Sequence, residues 1–356
     1  MFPTLEEMRA VNLSRPRVLA LILLAAALAT GCASADVGRT SRTRSASPAT
    51  ARAQRPATWP IWRHVQRPLD LAGPLRDGSL ILAAHGRLWS VDGAAHRTLF
   101  SAAYDRPGNA EPYIAAPAPG HRGCSFGADT VYVLRLYGAR GVVAVRRHGP
   151  VRRFASITAP GLIDGITFDE PGGFGHRLLV TISDGTRTTV QAIDCHGRVA
   201  TITRTAPRVE GGMVVATAPF GGFAGDLIAP DEKSGRLYAI APGGATRLVV
   251  GSGLPFGQDI GVESEVQLPR RGGYAALLGA DRLNPGNRHP GDNALLRLGS
   301  SQLRARGARP GDLMVATEGG ARLVAVRCRP RSCQVRELAA GPARAHLEGH
   351  LAVAPG

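Results

Sequence analysis

A repeating unit of strand-forming sequence is the feature that most restricts how this chain can fold. Short runs rich in Val, Leu and Ile alternate with turns rich in Gly, Pro and Asp, and no long segment keeps a helical spacing of apolar residues. Each unit contains a Gly-rich turn followed by three strands. The units begin at Asp77, Gly127, His176, Gly225, Gly272 and Gly311, and the first five starts lie about 47 to 50 residues apart. This period in an all-β sequence is typical of the blades of a β-propeller.

A second repeat supplies the missing fourth strand of each blade. An acidic residue, a short apolar run and usually a Pro recur between the units. The acidic residues are Glu111, Asp164, Glu210, Glu263 and Glu348. We interpret these runs as the innermost strand of each blade, strand A, which is followed outwards by strands B, C and D.

The repeats predict six blades, one of them degenerate. The sequence contains six B–C pairs and five acidic A strands, so five blades with a large insertion remain the alternative. Residues from Ser300 onwards have the pattern of a capped helical turn. No strand follows the run at Glu348, and no comparable acidic strand precedes the unit at Asp77. We therefore expect the C-terminal strand to close the ring by completing the first blade, which removes free sheet edges.

The shape of these repeats resembles the six-bladed propellers of the gluconolactonase, strictosidine-synthase-like and NHL-repeat type over residues 70–356. In those enzymes acidic and Asn side chains surround a central divalent cation. The resemblance implies a similar position for the acidic residues that begin the A strands. No Asn set in this sequence matches the Asn ligands of those enzymes.

The N-terminal region has the layout of an export signal. Arginines precede a short apolar run, Val18 to Thr30, which is shorter than the roughly 20 residues that span a bilayer. The ending Leu-Ala-Thr-Gly-Cys at Cys32 resembles the lipobox of bacterial lipoproteins, whose cysteine is diacylated. We predict a signal peptide over 1–31, a lipidated flexible tether over 32–58 and a propeller domain over 59–356. The protein is then extracytoplasmic and anchored to the membrane through Cys32; a soluble secreted protein is the alternative.

The acidic starts of the A strands are the sequence feature with the clearest chemistry. A strands line the central channel of a propeller, so their acidic starts are expected to converge at one mouth. Converging carboxylates repel each other unless some are protonated or a positive group lies among them. Ca²⁺ or another divalent cation is one such group, and Arg side chains are another. The carboxylates can also bond backbone N–H groups. The predicted metal ligands are Glu111, Asp164, Glu210, Glu263 and Glu348, and no catalytic residue is assigned.

The longest B–C loop, residues 280–293, is expected to open on the same side as this mouth. Long polar loops on a rigid scaffold commonly carry binding residues. The candidate ligand contacts are Asp281, Asn284, Asn287, His289, Asp292 and His350. Asp231 and Glu232 occupy the equivalent loop of an earlier blade.

The cysteines are consistent with an oxidising compartment. Apart from Cys32 there are four, an even number. Cys328 and Cys333 flank a turn between two strands, so they are predicted to pair across a hairpin. Cys124 in an A–B connection and Cys195 in the C–D turn of the next blade are predicted to bridge two blades.

Composition excludes one class of partner and leaves three functions open. The net charge is +16, but the basic residues are scattered and almost all Arg, so we do not expect nucleic acid to bind. The first possibility is a binding module for a saccharide, a wall polymer, a protein or a small molecule. A divalent-metal-dependent hydrolase of a lactone or ester is the second, and a structural lipoprotein is the third.

Overall fold

The computed structural model describes residues 57–106, 112–257, 259–271 and 273–356. Cys32 and Glu111 therefore lie outside the described residues. One short helix, α1 (Ser300–Ala305), and a 3₁₀ turn, Gly221–Phe223, accompany the strands. The strands are β1 (Ala57–Thr58), β2 (Ile61–His64), β3 (Pro68–Ala72), β4 (Leu80–Ala84), β5 (Arg87–Val91), β6 (Arg97–Leu99), β7 (Ile114–Ala115), β8 (Thr130–Arg135), β9 (Gly141–Arg146), β10 (Val151–Ser156), β11 (Leu162–Phe168), β12 (Leu178–Ser183), β13 (Arg187–Ile193), β14 (Val199–Pro207), β15 (Val214–Val215), β16 (Leu227–Asp231), β17 (Arg236–Ile240), β18 (Thr246–Gly251), β19 (Val262–Gln267), β20 (Ala276–Asp281), β21 (Ala294–Gly299), β22 (Leu313–Thr317), β23 (Leu323–Arg329), β24 (Ser332–Ala340) and β25 (Leu347–Ala354).

The strands form six sheets, which are the six blades of a β-propeller, and every strand pair is antiparallel except the parallel pair β1–β24. From the innermost strand outwards, the blades are β3-β4-β5-β6, β7-β8-β9-β10, β11-β12-β13-β14, β15-β16-β17-β18, β19-β22-β23-β24-β1 and β25-β20-β21-β2, here numbered blades 1 to 6. Each innermost strand contacts the innermost strands of its two neighbouring blades, and β25 contacts β3. The ring is therefore closed, and the predicted six-bladed all-β fold is confirmed.

The burial of each strand follows from its place in a blade. The B strands β4, β12 and β22 are buried along their whole length because another blade covers each face. The outermost strands β10 and β14 contain many exposed residues, including several arginines. The apolar core thus lies between neighbouring blades, and the apolar runs of the sequence become the B and C strands.

The C-terminal strand closes the ring, but in a different blade from the one predicted. β25 pairs with β20, so it completes blade 6 and not blade 1. Blade 1 has its own innermost strand, β3, which pairs with β4 and contains Asp70. The outermost strand of blade 6 is β2, so this blade combines strands from both ends of the propeller.

Blades 5 and 6 exchange strands along the chain. The innermost strand β19 pairs with β22, although β20 and β21 lie between them in sequence. The predicted order, in which the run at Glu263 directly precedes its own B strand, is therefore wrong for these two blades. The helix predicted from Ser300 is present as α1, and it links β21 to β22. Its first turn is capped, because the backbone N–H of Gly299 donates to the Gln302 side chain at 2.9 Å.

Both predicted disulfides are present. Cys328–Cys333 joins β23 to β24 across their hairpin. Cys124–Cys195 joins the A–B connection of blade 2 to the C–D turn of blade 3. Among the described residues, no helix combines the length and apolar character needed to cross a bilayer.

Candidate functional site

Carboxylates from three neighbouring blades meet at one end of the central axis. Glu263 and Glu348 lie at the starts of the innermost strands β19 and β25, as predicted. Glu232 and Glu318 follow the B strands β16 and β22, and Asp259 lies between β18 and β19. We call these five residues, together with His346, the acidic mouth. They converge because D–A and B–C connections open on the same side of every blade.

His346 is the centre of the acidic mouth. Its Nε2 lies 2.9 Å from Glu318 Oε1 and 3.2 Å from Glu348 Oε1, and its side chain is fully buried. The backbone N–H of His346 donates to Asp281 at 2.8 Å. Burial opposes protonation of the ring, but the hydrogen bond and charge of Glu348 outweigh it and raise the pKa of His346.

Arginines neutralise part of the negative charge around the mouth. Arg208 forms ion pairs with Glu210, with Asp231 at 3.1 Å and with Glu232 at 3.5 Å. Arg282 lies 3.3 Å from Glu348. Each of these guanidinium groups therefore has carboxylate partners, and the carboxylates still repel one another.

This repulsion contributes to raised pKa values for several carboxyl groups of the mouth. Burial and the Glu348 and Glu232 carboxylates raise the pKa of Glu318 well above its ordinary value. Burial, Glu318 and Glu348 do the same for Glu263, although a hydrogen bond from Tyr113 opposes them. Burial, together with Glu210, raises the pKa of Glu232 to about 8. Protons thus stabilise the mouth, and a bound cation would serve the same purpose.

Two groups of side chains in the mouth have the donor set of a metal site. Glu318, His346 and Glu348 each offer one ligand atom, and these atoms all lie within 4.8 Å of one another. Glu232, Asp259 and Glu318 form a second group by the same measure. The first set mixes imidazole and carboxylate, which suits Zn²⁺ or Mn²⁺, and the second offers only oxygen, which suits Ca²⁺ or Mg²⁺.

Asp164 and Glu210 lie beside the mouth and not at its centre. Asp164 accepts a hydrogen bond from the Thr181 hydroxyl at 3.0 Å. Burial and the nearby Glu210 raise its pKa well above the ordinary value. The predicted acids interact as two pairs, Asp164 with Glu210 and Glu263 with Glu348, and Glu232, which interacts with Glu210 and with Glu263, links the two pairs.

A sixth acid, Asp70 of blade 1, was missed by the sequence analysis. Its carboxylate is saturated by backbone N–H groups, from Ile114 at 2.6 Å and from His350 at 2.6 Å. The His350 ring adds a contact of 3.0 Å to the same carboxylate. The run Asp-Leu-Ala-Gly-Pro from Asp70 has the same pattern of an acid, a short apolar run and Pro that identified the other A strands.

Two side chains cross the central axis below the mouth. Tyr113 of blade 2 donates its hydroxyl to Glu263 of blade 5, the opposite blade, at 2.5 Å. His350 of blade 6 bonds both Asp70 and the backbone of Ile166 in blade 3, which is again the opposite blade. The two rings meet edge to face with centroids 6.4 Å apart. They therefore form a floor beneath the acidic mouth.

The loop residues proposed from sequence divide into two sets. Asp281 bonds the backbone of His346, and the Asn284 side chain lies 3.4 Å from its ring, so both support the mouth. The other three loop residues contact neighbouring loop residues instead. The His289 ring bonds the Ala343 carbonyl, and the Asn287 side chain accepts from the backbone N–H of His289. Asp292 pairs with Arg344. His350 lies in the floor.

Glu318, His346 and Asp259 were not among the predicted site residues. A signal for Glu318 is present in the sequence, because an acid ends or follows the B strands β16, β20 and β22. His346 lies in the connection from β24 to β25, whose course depends on the exchange of strands between blades 5 and 6, and Asp259 lies in the β18–β19 connection, where no repeat marks it. Local sequence does not encode the course of the β24–β25 connection.

Large apolar side chains are exposed around the same face. Tyr137 lies in the β8–β9 loop with 56% of its surface exposed, and Phe256 lies before β19 with 59% exposed. Leu162 and Leu283 are also exposed at the strand ends on this side. These exposed side chains belong to connections or strand ends on the same side of the blades as the acidic mouth.

The site defines the chain as a six-bladed β-propeller with a buried acidic mouth. No protein family profile matches the sequence, and no curated protein matches it. Among solved structures, it is similar to virginiamycin B lyase from Staphylococcus aureus, with 12% identity, a TM-score of 0.42 and coverage of 77% of this chain and 85% of the lyase. It is also similar to a putative TolB from Agrobacterium tumefaciens, with 11% identity, a TM-score of 0.44 and coverage of 82% and 91%. A putative gluconolactonase has 10% identity, a TM-score of 0.44 and coverage of 79% and 81%.

Proposed function

We propose that the protein is a lipid-anchored extracytoplasmic binding module whose acidic mouth takes a divalent cation. The observation that carries the proposal is the pair of ligand groups that share Glu318: one with the buried His346 and Glu348, the other with Glu232 and Asp259. Without a cation, some of these carboxylates hold protons at raised pKa. A divalent cation supplies positive charge to the ionised carboxylates and a coordination point for an oxygen-bearing ligand.

Metal titration of the purified protein tests this proposal. We expect Ca²⁺, Mn²⁺ or Zn²⁺ to raise the melting temperature of chelator-treated protein, because binding to the folded state adds about 2.7 kcal/mol at a hundredfold excess over Kd. Glu318→Gln should abolish the response, since Glu318 belongs to both ligand groups. Glu337→Gln, an exposed carboxylate paired with Arg322, is the matched control. A melting temperature that none of the three ions changes would refute cation binding.

Ionisation of the mouth gives a second test with a defined sign. The pKa of Glu232 is about 8 in the folded protein, against 4.5 for the ordinary side chain. A carboxyl whose pKa is higher in the folded state lowers stability as the pH rises between those two values. We expect the melting temperature of metal-free protein to fall between pH 4.5 and pH 8, and a saturating cation to remove or reverse that fall. An unchanged melting temperature across this range would contradict protonated carboxylates in the mouth.

The anchoring part of the proposal rests on the sequence at Cys32. An export signal that ends in a lipobox-like motif, followed by a polar tether, supports attachment of the propeller to the outer surface of the membrane. Cys32→Ser should release the protein from the membrane fraction and remove lipid from its N-terminal peptide. Wild-type protein that carries no lipid on Cys32 would refute the anchor.

The mixed donor set of Glu318, His346 and Glu348 favours a second candidate, metal-dependent hydrolysis of a lactone or ester. Imidazole and carboxylate ligands with an open position are typical of metal sites that activate water. Turnover of simple lactones and aryl esters with added Zn²⁺ or Mn²⁺ tests this candidate. Activity that is lost in Glu318→Gln would support hydrolysis. Cation binding without turnover would exclude hydrolysis of these substrates and favour the binding module.

A further inference from the structure

A cavity of about 640 Å³ opens at the end of the strands away from the acidic mouth. It lies where blade 1 meets blade 6, between the β3–β4 connection, the β5–β6 turn and the last residues of β25. Its volume falls within the range of pockets that hold small organic ligands, about 300 to 1,000 Å³. Trp62, Leu80, Val91 and Leu278 provide apolar wall, so the cavity can hold a compact carbon skeleton.

Three arginines line this cavity: Arg76, Arg147 and Arg297. The Arg147 side chain is already engaged, because its Nη2 lies 2.9 Å from Asp77 and 3.3 Å from the Ser79 hydroxyl. Within the described residues, neither Arg76 nor Arg297 has a carboxylate partner. The Arg297 guanidinium instead lies over the Trp62 ring, 5.8 Å from its centroid. Two guanidinium groups are therefore available to a ligand.

The two carboxylates in the cavity wall, Asp77 and Asp92, offset only part of the charge of the three arginines and leave one net positive charge. Asp77 accepts hydrogen bonds from the backbone and hydroxyl of Ser79 and pairs with Arg147. Partial burial opposes ionisation of Asp77, but the contacts with Ser79 and Arg147 together lower its pKa. Asp92 is occupied by the backbone N–H groups of Ala94 and His96 and by the His96 ring. Both carboxylates therefore accept hydrogen bonds that stabilise the turns in which they lie.

We propose that this cavity binds a small organic oxyanion, a compact molecule that carries a carboxylate or a phosphate. Arg76 and Arg297 bind the oxyanion, because a guanidinium donates two parallel hydrogen bonds to either group. This site shares no residue with the acidic mouth, so it is independent of the function proposed above.

Calorimetric titration of the purified full chain at low ionic strength tests the proposal. The probes are glucuronate, glucose 6-phosphate and, as the uncharged control, glucose. We expect one or both anions to bind and glucose not to bind; the preferred anion identifies carboxylate or phosphate as the natural group. Arg297→Gln and Arg76→Gln should each weaken binding about tenfold, the loss expected for one charged hydrogen-bonding partner. Arg122→Gln, which changes an exposed arginine in the β7–β8 connection outside the cavity, should leave binding of the anion unchanged.

Gly93 provides a pair of variants whose effects should have opposite signs. It lines the cavity, and a Cβ at this position meets no atom within 4 Å, so a side chain can be added without a clash. Gly93→Glu should weaken binding of the anion and Gly93→Lys should strengthen it, with no change in melting temperature for either. Equal binding of glucose, no binding of either anion, or equal effects of Glu and Lys at position 93 would overturn the proposal.

Discussion

At the scale of single residues, Glu265 shows the sharpest conflict between charge and burial. It lies in the innermost strand β19 with 1% of its surface exposed. Within the described chain, neither carboxylate oxygen has a hydrogen-bond partner. Burial alone raises its pKa well above the ordinary value. The environment therefore favours a protonated, uncharged carboxyl.

Glu265→Gln should stabilise the protein, and the gain should grow with pH. The unfolded chain ionises Glu265 near its ordinary pKa, whereas the folded chain must hold the proton, at a cost of about 1.4 kcal/mol for each pH unit between the two values. Glutamine has nearly the same shape and never ionises. Urea denaturation at pH 4, 6 and 8 measures the gain, with Glu337→Gln as the exposed control. A gain that is the same at every pH would show that Glu265 is already ionised in the folded protein.

Individual site residues could be predicted where a repeat or a long polar loop made them visible. Glu263 and Glu348 were found because each begins an apolar run of the expected length. Asp70 was missed although its run has the same pattern, since the first blade was expected to borrow its inner strand from the C-terminus. His346 has no repeat to identify it, and its role depends entirely on which carboxylates the fold brings to it.

At the scale of secondary-structure elements, glycines let the innermost strands approach one another. A Cβ on Gly212 of blade 4 would lie 2.7 Å from the Gly349 carbonyl oxygen of blade 6. Gly349 has a φ of 63°, in the left-handed region, and a Cβ there would overlap the Asp70 carboxylate. These strands therefore meet backbone to backbone beneath the mouth.

Gly349→Ala should destabilise the protein by roughly 2–4 kcal/mol, because it combines left-handed strain with a clash. The displaced Asp70 should also lose its bonds to Ile114 and His350. Chemical denaturation measures the change. Gly243→Ala is the control, since its Cβ would meet no atom within 4 Å. Equal stability of the two variants would show that the inner strands can separate at little cost.

The two disulfides should differ in their contribution to stability. Cys124–Cys195 closes a loop with a sequence separation of 71 and ties two blades together, whereas Cys328–Cys333 closes one of 5. Loop-closure entropy predicts about 4 kcal/mol for the first and about 2 kcal/mol for the second. Paired Cys→Ala variants of each bridge, compared by denaturation, test this order. If the hairpin bridge proves the more stabilising, chain entropy is not the governing effect.

Sequence predicted the strands themselves better than their partners. The Gly-rich turns and alternating apolar runs gave the B and C strands of all six blades, because those signals are local. The pairing of β19 with β22, and of β20 with β25, was not predictable from such signals. The sequence of an apolar strand is compatible with either blade, so only long-range packing decides between the two arrangements.

At the scale of the whole molecule, the N-terminal strands hold the ring closed. β1 pairs with β24 of blade 5, and β2 pairs with β21 of blade 6. Trp59 lies between these two strands; its backbone N–H donates to the Ala340 carbonyl, and its side chain is fully buried. It belongs to an apolar cluster that includes Leu296 of blade 6 and Leu338 of blade 5. Residues 57–64 thus fasten together the two blades that exchange strands.

Trp59→Ala should therefore cost about 3–5 kcal/mol, the usual loss for a fully buried aromatic side chain. Because the ring closes through blades 5 and 6, the variant should still unfold in one cooperative transition at lower temperature. Trp62→Ala, three residues further along and only partly buried, is the control and should cost less. Calorimetry measures both the midpoint and the cooperativity. A cost below about 1 kcal/mol for Trp59→Ala would mean that β25 alone closes the ring. Two separate transitions would mean that blades 5 and 6 unfold independently of the other four.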